Sequence, residues 1–120
     1  MDGKNVFNKW RIIMDIEIID FEKEIEKLNS PRRPHDMVFV DDSLLRAVLC
    51  VGEGKWYVHD YDEFFMHYKG DVVIESDNTT ADLSQDRGVL VPAGVRHRTN
   101  SKEPAVFLVF RHKKTACMLA

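Results

Sequence analysis

From residue 37 onward the chain repeats one pattern, a run of apolar residues followed by a short cluster of turn formers. The runs fall at 37–40, 44–51, 56–59, 63–68, 72–75, 88–91 and 105–110. Asp41, Asp42 and Ser43, then Gly52, Glu53 and Gly54, then Lys69, Gly70 and Asp71 separate the first of them. Ser76, Asp77 and Asn78, then Pro92, Ala93 and Gly94, and finally residues 101–104 separate the rest. Short strands at this spacing predict an all-β fold, an antiparallel sandwich or barrel. Ahead of them, Asp20 is placed to cap a short helix in which Phe21, Ile25 and Leu28 recur at helical spacing. Pro31 ends it, because proline cannot continue a helix and restricts the residue before it. Residues 16–19 predict a further short strand. The expected organisation is an N-terminal segment over 1–36, a barrel over 37–114 and a tail over 115–120.

Composition narrows the class. At 120 residues the chain supports one core and not two. A net charge of -3 leaves no basic field to recruit nucleic acid or an anionic membrane. No apolar run reaches the roughly 20 residues of a membrane span. The first residues carry an acid and no apolar signal core, so a cytoplasmic setting is expected. Cys50 and Cys117 are too few for a disulfide framework and read as free thiols.

Chemistry concentrates in two stretches. In an extended strand alternate side chains share a face. Tyr57, His59, Tyr61, Glu63, Phe65 and His67 then share one face, and Phe64, Met66 and Tyr68 share the other. A carboxylate among aromatic rings must be paired, protonated or metal-bound. Imidazole and carboxylate together suit a transition metal. In the second stretch, a strand ends at Pro92, Ala93 and Gly94, and His97 follows the turn. A chain reversal there returns His97 to the sheet. Asp60 and Asp62 read as solvent-facing. Arg96 and Arg98 flank His97 and point away from it by parity. Arg32, Arg33 and His35 read as a solvated basic loop, with a lesser reading as a clamp on an anionic substrate.

These stretches resemble the two signature motifs of the cupins. In the first, His59, Glu63 and Gly70 stand at the motif's spacing, with Tyr57 where its leading histidine belongs and Gly52 and Gly54 only near its glycine. In the second, Pro92, Gly94 and His97 match, while Gly88 sits late and Asn100 one residue early. The resemblance spans residues 44–111, and Glu63, Phe64 and Phe65 with Tyr68, Lys69, Gly70 and Asp71 are locally similar to 3-hydroxyanthranilate dioxygenase. It implies a cupin-type, jelly-roll-like antiparallel β-barrel with a pocket between its sheets. It also implies one divalent transition metal (iron, manganese, nickel or zinc) held by His59, Glu63 and His97.

Two function classes fit this reading. One is a metal-dependent dioxygenase or isomerase acting on a small polar molecule, with Tyr57 or His67 as the nearest proton donor or acceptor. The other is a non-catalytic module that binds or senses a small ligand, with or without metal. A homodimer is expected. It is built either on the Phe64, Met66 and Tyr68 face or on the apolar N-terminal segment that contains Phe7, Trp10, Ile12 and Ile13.

Overall fold

The computed structural model describes residues 15–31, 33–114 and 118–120. It is an antiparallel β structure with one short helix, α1 (Phe21–Ile25). The strands are β1 (His35–Val40), β2 (Ser43–Glu53), β3 (Tyr57–Val58), β4 (Glu63–Lys69), β5 (Val72–Ser76), β6 (Thr80–Leu83), β7 (Gly88–Val91), β8 (His97–His112) and β9 (Met118–Leu119). This is the all-β, cupin-type architecture that the spacing of turns and the motifs predict.

The 16-residue β8 serves two walls. Its C-terminal half lies between β2 and β4, with β1 beyond β2 and β7 beyond β4. Its N-terminal half lies beside β5, which carries β6, and its other flank meets the end of β2 and β3. The crossover is an irregularity. Cys50 pairs with Ala105, but Gly52, two residues on, pairs with Ser101. Residues 102–104, which read as a loop in the sequence, are absorbed there as extra chain within one strand.

Two glycines set sharp reversals. Gly70 (φ +78°) turns β4 into β5, and a side chain on it would meet the Ala105 Cβ at 2.8 Å. Gly94 (φ +84°) shapes the turn between β7 and β8.

Alternation along β4 and the C-terminal half of β8 divides the apolar side chains between two clusters. Phe65, Phe107, Val109, Val91, Ile74, Val72 and Leu83 fill the interior. On the outer face, Met37, Ala47 and Leu108 are buried beneath Ile19, Ile25 and Leu28 from the α1 segment, with Met66 and Tyr68 packed alongside. Asp20 caps α1 as expected, accepting from Lys23 N at 3.2 Å. His35 ties the helix to β1 through Glu24 at 2.7 Å.

Four expectations need correction. Residues 16–19 form no strand, and Ile16 and Ile18 are 91% and 88% exposed. The helix stops at Ile25, short of Asn29. The presumed tail pairs with β3 as β9, Leu119 opposite Tyr57. His35 is tied to Glu24 rather than standing in a solvated loop. Phe7, Trp10, Ile12, Ile13, Arg32 and Cys117 lie outside the described residues, while Cys50 is a free, buried thiol. Among the described residues, no helix is long and apolar enough to cross a membrane.

Candidate metal centre

Three elements deliver the polar interior. Glu63 opens β4 and points inward with Phe65, while Phe64 between them points out, as alternation requires. His97 opens β8, directly opposite Tyr57 of β3. His59 sits in the short loop after β3. That loop is tied to the 92–94 turn, because Gly94 N donates to His59 O at 2.8 Å and Ala93 N to the Asp62 carboxylate at 2.9 Å. The turn residues recognisable in the sequence therefore also fix the position of His59. Asp62 is exposed, as expected, and its carboxylate clasps the turn.

His59, Glu63 and His97 converge. One ligand atom from each lies within 4.8 Å of the others, and all three residues are buried. Both imidazole Nε2 atoms face the same oxygen, Glu63 Oε1, from His97 at 3.1 Å and from His59 at 3.3 Å. His97 Nδ1 faces the Val95 carbonyl at 2.9 Å. A carbonyl only accepts, so Nδ1 carries a hydrogen and Nε2 is the atom left for the centre. His59 Nδ1 is buried with no hydrogen-bond partner.

The two histidines are driven in opposite directions. Burial dominates at His59 and holds it below the ordinary imidazole value; Glu63 pulls the other way, while Arg111 and His97 reinforce the lowering. Burial also pushes His97 down, but its hydrogen bonds to Glu63 and Val95 and the attraction of Glu63 outweigh it, leaving it raised.

Tyr57 stands beside His59, its ring 5.9 Å away and nearly parallel. Tyr61 stacks on His59 at 4.8 Å. His67 is not part of this group. It lies four residues along β4 from Glu63, about 13 Å at the usual strand rise. There it lines an outer groove of about 720 Å³ with Phe64, Tyr68 and Arg87. A smaller cleft, about 360 Å³, reaches His97 and is walled by Ile74, Ala81, Val89, Val91 and Val95, with Ser76, Asn78 and Thr79 at its rim. The smaller cleft is the one that adjoins the chemistry, and the larger is an open depression on the opposite face of β4.

Sequence reasoning passed over Arg111. It is 4% exposed, its Nη1 lies 3.7 Å from Glu63 Oε2, and its Nη2 donates to the Tyr61 hydroxyl and to the Lys114 carbonyl. Parity carried the signal: Ala105, Phe107 and Val109 face inward, so Arg111 does too. Its presence changes the argument about Glu63. That carboxylate has an ion-pair partner without any metal, so its burial alone does not demand one. The convergence of the two imidazoles on it, with an orphaned nitrogen at His59, still fits a metal. Arg96 and Arg98 leave the opposite face, packing over Trp56 at 4.0 and 4.8 Å and pairing with Asp77 and Glu75.

Residues 50–111 match the family described as Cupin domain. The chain is 34% identical over 82 residues to the uncharacterized protein YdbB of Bacillus subtilis (strain 168), covering 67% of this chain and 73% of that protein. The crystal structure of a cupin-2 domain containing protein from Shewanella frigidimarina superposes with a TM-score of 0.76 at 24% identity, over 80% of this chain and 95% of that one. Hydroquinone 1,2-dioxygenase from Sphingomonas sp. TTNP3, with 4-hydroxybenzoate bound, gives a TM-score of 0.68 at 16% identity over 83% and 82% of the two chains. At such identities the solved structures speak for the fold. The family match spans more than half the chain and contains every residue of the convergent centre, and on that ground the protein belongs to the cupin family.

Proposed function

We propose that this cupin binds one divalent transition metal through His59, Glu63 and His97 and uses the adjoining cleft to hold a small polar molecule, on which it acts as a dioxygenase or isomerase. The observation that carries the reading is the convergence of three buried ligand atoms within 4.8 Å. Two imidazoles and one carboxylate leave coordination positions open, which a closed structural site does not. The metal (iron, manganese, nickel or zinc) supplies Lewis acidity, or oxygen activation in the case of iron. The chain's own residues do the rest. Val95 fixes the tautomer of His97, and Tyr61 stacks on His59 and holds its ring plane. Tyr57, one ring away from His59, is the phenol placed to give or take a proton at its oxygen. The cleft's walls are mostly apolar, with Ser76, Asn78 and Thr79 offering polar groups to a bound molecule. Likeness to the hydroquinone dioxygenase supports an oxygenase reading at the level of fold, which hosts many chemistries.

A second reading, a non-catalytic ligand-binding module, is favoured by two particular features. Tyr57 replaces the leading motif histidine, and Arg111 satisfies Glu63 without metal. Elemental analysis of protein purified without a metal-affinity tag tests the metal, with about one ion per chain expected. Protein that is empty and refuses added iron, manganese, nickel and zinc ends the metal reading. A panel of phenols, diketones and sugar phosphates, followed by thermal shift and by product formation, then separates the classes. Shifts without turnover on any metal leave the binding module.

The reading includes a homodimer. Leu90, Phe64 and Phe110 are lateral neighbours across β7, β4 and β8 and are 57%, 41% and 38% exposed on the outer face. Such a row is poorly left to water. Light scattering of a stable monomer at micromolar concentration is the contrary result.

A further inference from the structure

The two imidazoles of the centre are held by different means. His97 is fixed at its far nitrogen, where Nδ1 donates to the Val95 carbonyl at 2.9 Å. His59 has no such tie. Its Nδ1 is buried with no hydrogen-bond partner, and its ring is stacked against two phenols, Tyr57 at 5.9 Å and Tyr61 at 4.8 Å. Tyr61 is the nearer and the more parallel, with 6° between the planes. The orientation of His59 therefore depends on what holds Tyr61.

Arg111 holds it. The guanidinium lies over the Tyr61 ring at 4.8 Å, and Nη2 donates to the Tyr61 hydroxyl. The same nitrogen donates to the Lys114 carbonyl at 3.1 Å, which ties the arginine to the chain beyond β8. The other terminal nitrogen, Nη1, lies 3.7 Å from Glu63 Oε2. Arg111 and Glu63 are directly opposite each other on β8 and β4, and each is 4% exposed. With Oε2 turned to the guanidinium, Oε1 is the oxygen that meets both Nε2 atoms, at 3.1 Å from His97 and 3.3 Å from His59. One side chain thus reaches two of the three candidate ligands, Glu63 directly and His59 through Tyr61.

We propose that Arg111 is the positioning residue of the metal centre. It holds Glu63 Oε2 so that Oε1 faces the imidazoles, and it sets the ring plane of His59 through Tyr61. The inference rests on the metal reading above. Partners that orient metal ligands commonly govern metal affinity. Arginine suits the task because its planar fork reaches two partners at once, whereas the single nitrogen of a lysine is a point charge.

The test uses the full chain and cobalt(II), whose visible absorption follows coordination geometry. Arg111→Lys keeps the charge and removes the fork. It is expected to weaken cobalt binding about tenfold and to change the absorption band. Tyr61→Leu, which removes the stack, should produce a smaller change of the same kind. The double variant should fall short of the sum of the two, because both cut one chain of contacts. Leu28→Ala in the outer cluster reports what loss of packing does alone, and should leave band and affinity as in the parent. An unaltered band and affinity in Arg111→Lys, or tighter cobalt binding there, overturns the inference and leaves the metal reading standing, the arginine then being a counter-ion of Glu63 or a competitor of the metal. A change of band as large in Leu28→Ala overturns it too. If Arg111→Lys does not fold, Tyr61→Phe, which keeps the stack and removes the hydroxyl that Arg111 grips, carries the same outcomes at smaller size. Failure of the parent protein to take up cobalt overturns the metal reading instead, and the inference falls with it.

Discussion

The two faces of the wall that contains β4 hold clusters of similar chemistry put to different use. On the inner face, Phe65, Phe107, Val109 and Val91 pack without a break up to Glu63, Arg111 and His97. On the outer face, Met37, Ala47 and Leu108 meet only apolar side chains and a short helix segment. The inner cluster is both core and the support of a charged site. The outer cluster is packing alone, and the side chains that cover its three buried residues are themselves only partly buried. Damage to the inner face should therefore be felt twice, in stability and in binding, and damage to the outer face once.

The largest expected effects are on the inner face. Glu63→Gln keeps the shape and deletes a buried negative charge that faces both Arg111 and His97. Stranding a buried partner costs about 3–5 kcal/mol, and metal uptake should vanish with it. Phe65→Ala should cost a similar amount, about 3–5 kcal/mol, as a cavity in the interior. Urea unfolding measures both, and chelator competition adds the metal readout. Leu28→Ala, just past the end of α1, should cost only about 1 kcal/mol, since the side chain is partly buried to begin with, and should leave metal affinity untouched. Equal losses for Phe65 and Leu28 would erase the distinction between the faces.

A subtler effect concerns the two histidines of the metal-free protein. His97 is raised above the ordinary imidazole value, so the stability it contributes is complete below about pH 6.5 and is lost as pH rises through its folded value. His59 is lowered, so its contribution is complete above about pH 6.5 and fades as pH falls toward its folded value. The two losses fall on opposite sides of that pH, so the stability of the metal-free protein should pass through a maximum near pH 6.5 and decline on either side. Ring-proton NMR should find His97 titrating above His59. A common midpoint would mean that the shared carboxylate treats them alike. The smallest effect lies farthest from the site: Asp20→Ala removes the cap of α1 and should cost about 1 kcal/mol with no change in either titration.

Local rules carried much of this in the sequence. Gly70 and Gly94 announce reversals that only a positive φ allows, and alternation around Phe65 assigns Glu63 to the interior. The resemblance to the cupin motifs nominated His59, Glu63 and His97 as ligands, and the structure brings the three together. What escaped has a common cause. β6 reads Thr-Ala-Asp-Leu and the start of β8 reads His-Arg-Thr-Asn, neither with an apolar run; β6 is held as a strand by β5, and the start of β8 by β5 on one flank and by β3 and the end of β2 on the other. Residues 16–19 have the strand-like composition and no sheet neighbour. Arg111 follows from parity once β8 is known to continue unbroken, but its meeting with Glu63 depends on two strands far apart in the chain. His67 shows the limit of parity in the other direction: four residues along β4 from Glu63, it lines the outer groove with Phe64 and Tyr68 and takes no part in the centre.

The barrel is not closed all the way round. Among the described residues, β6 pairs only with β5 and β7 only with β4, and the cleft that reaches His97 is lined from both strands. An interior with such a seam can breathe. Backbone amides of β6 and β7 that lack a partner across the gap should exchange their hydrogens long before those of the C-terminal half of β8, which is bonded on both flanks. A molecule seated in the cleft would bridge the seam, and its arrival should be felt as slowed exchange along Ala81 and Val89 even where it touches no hydrogen-bonding group.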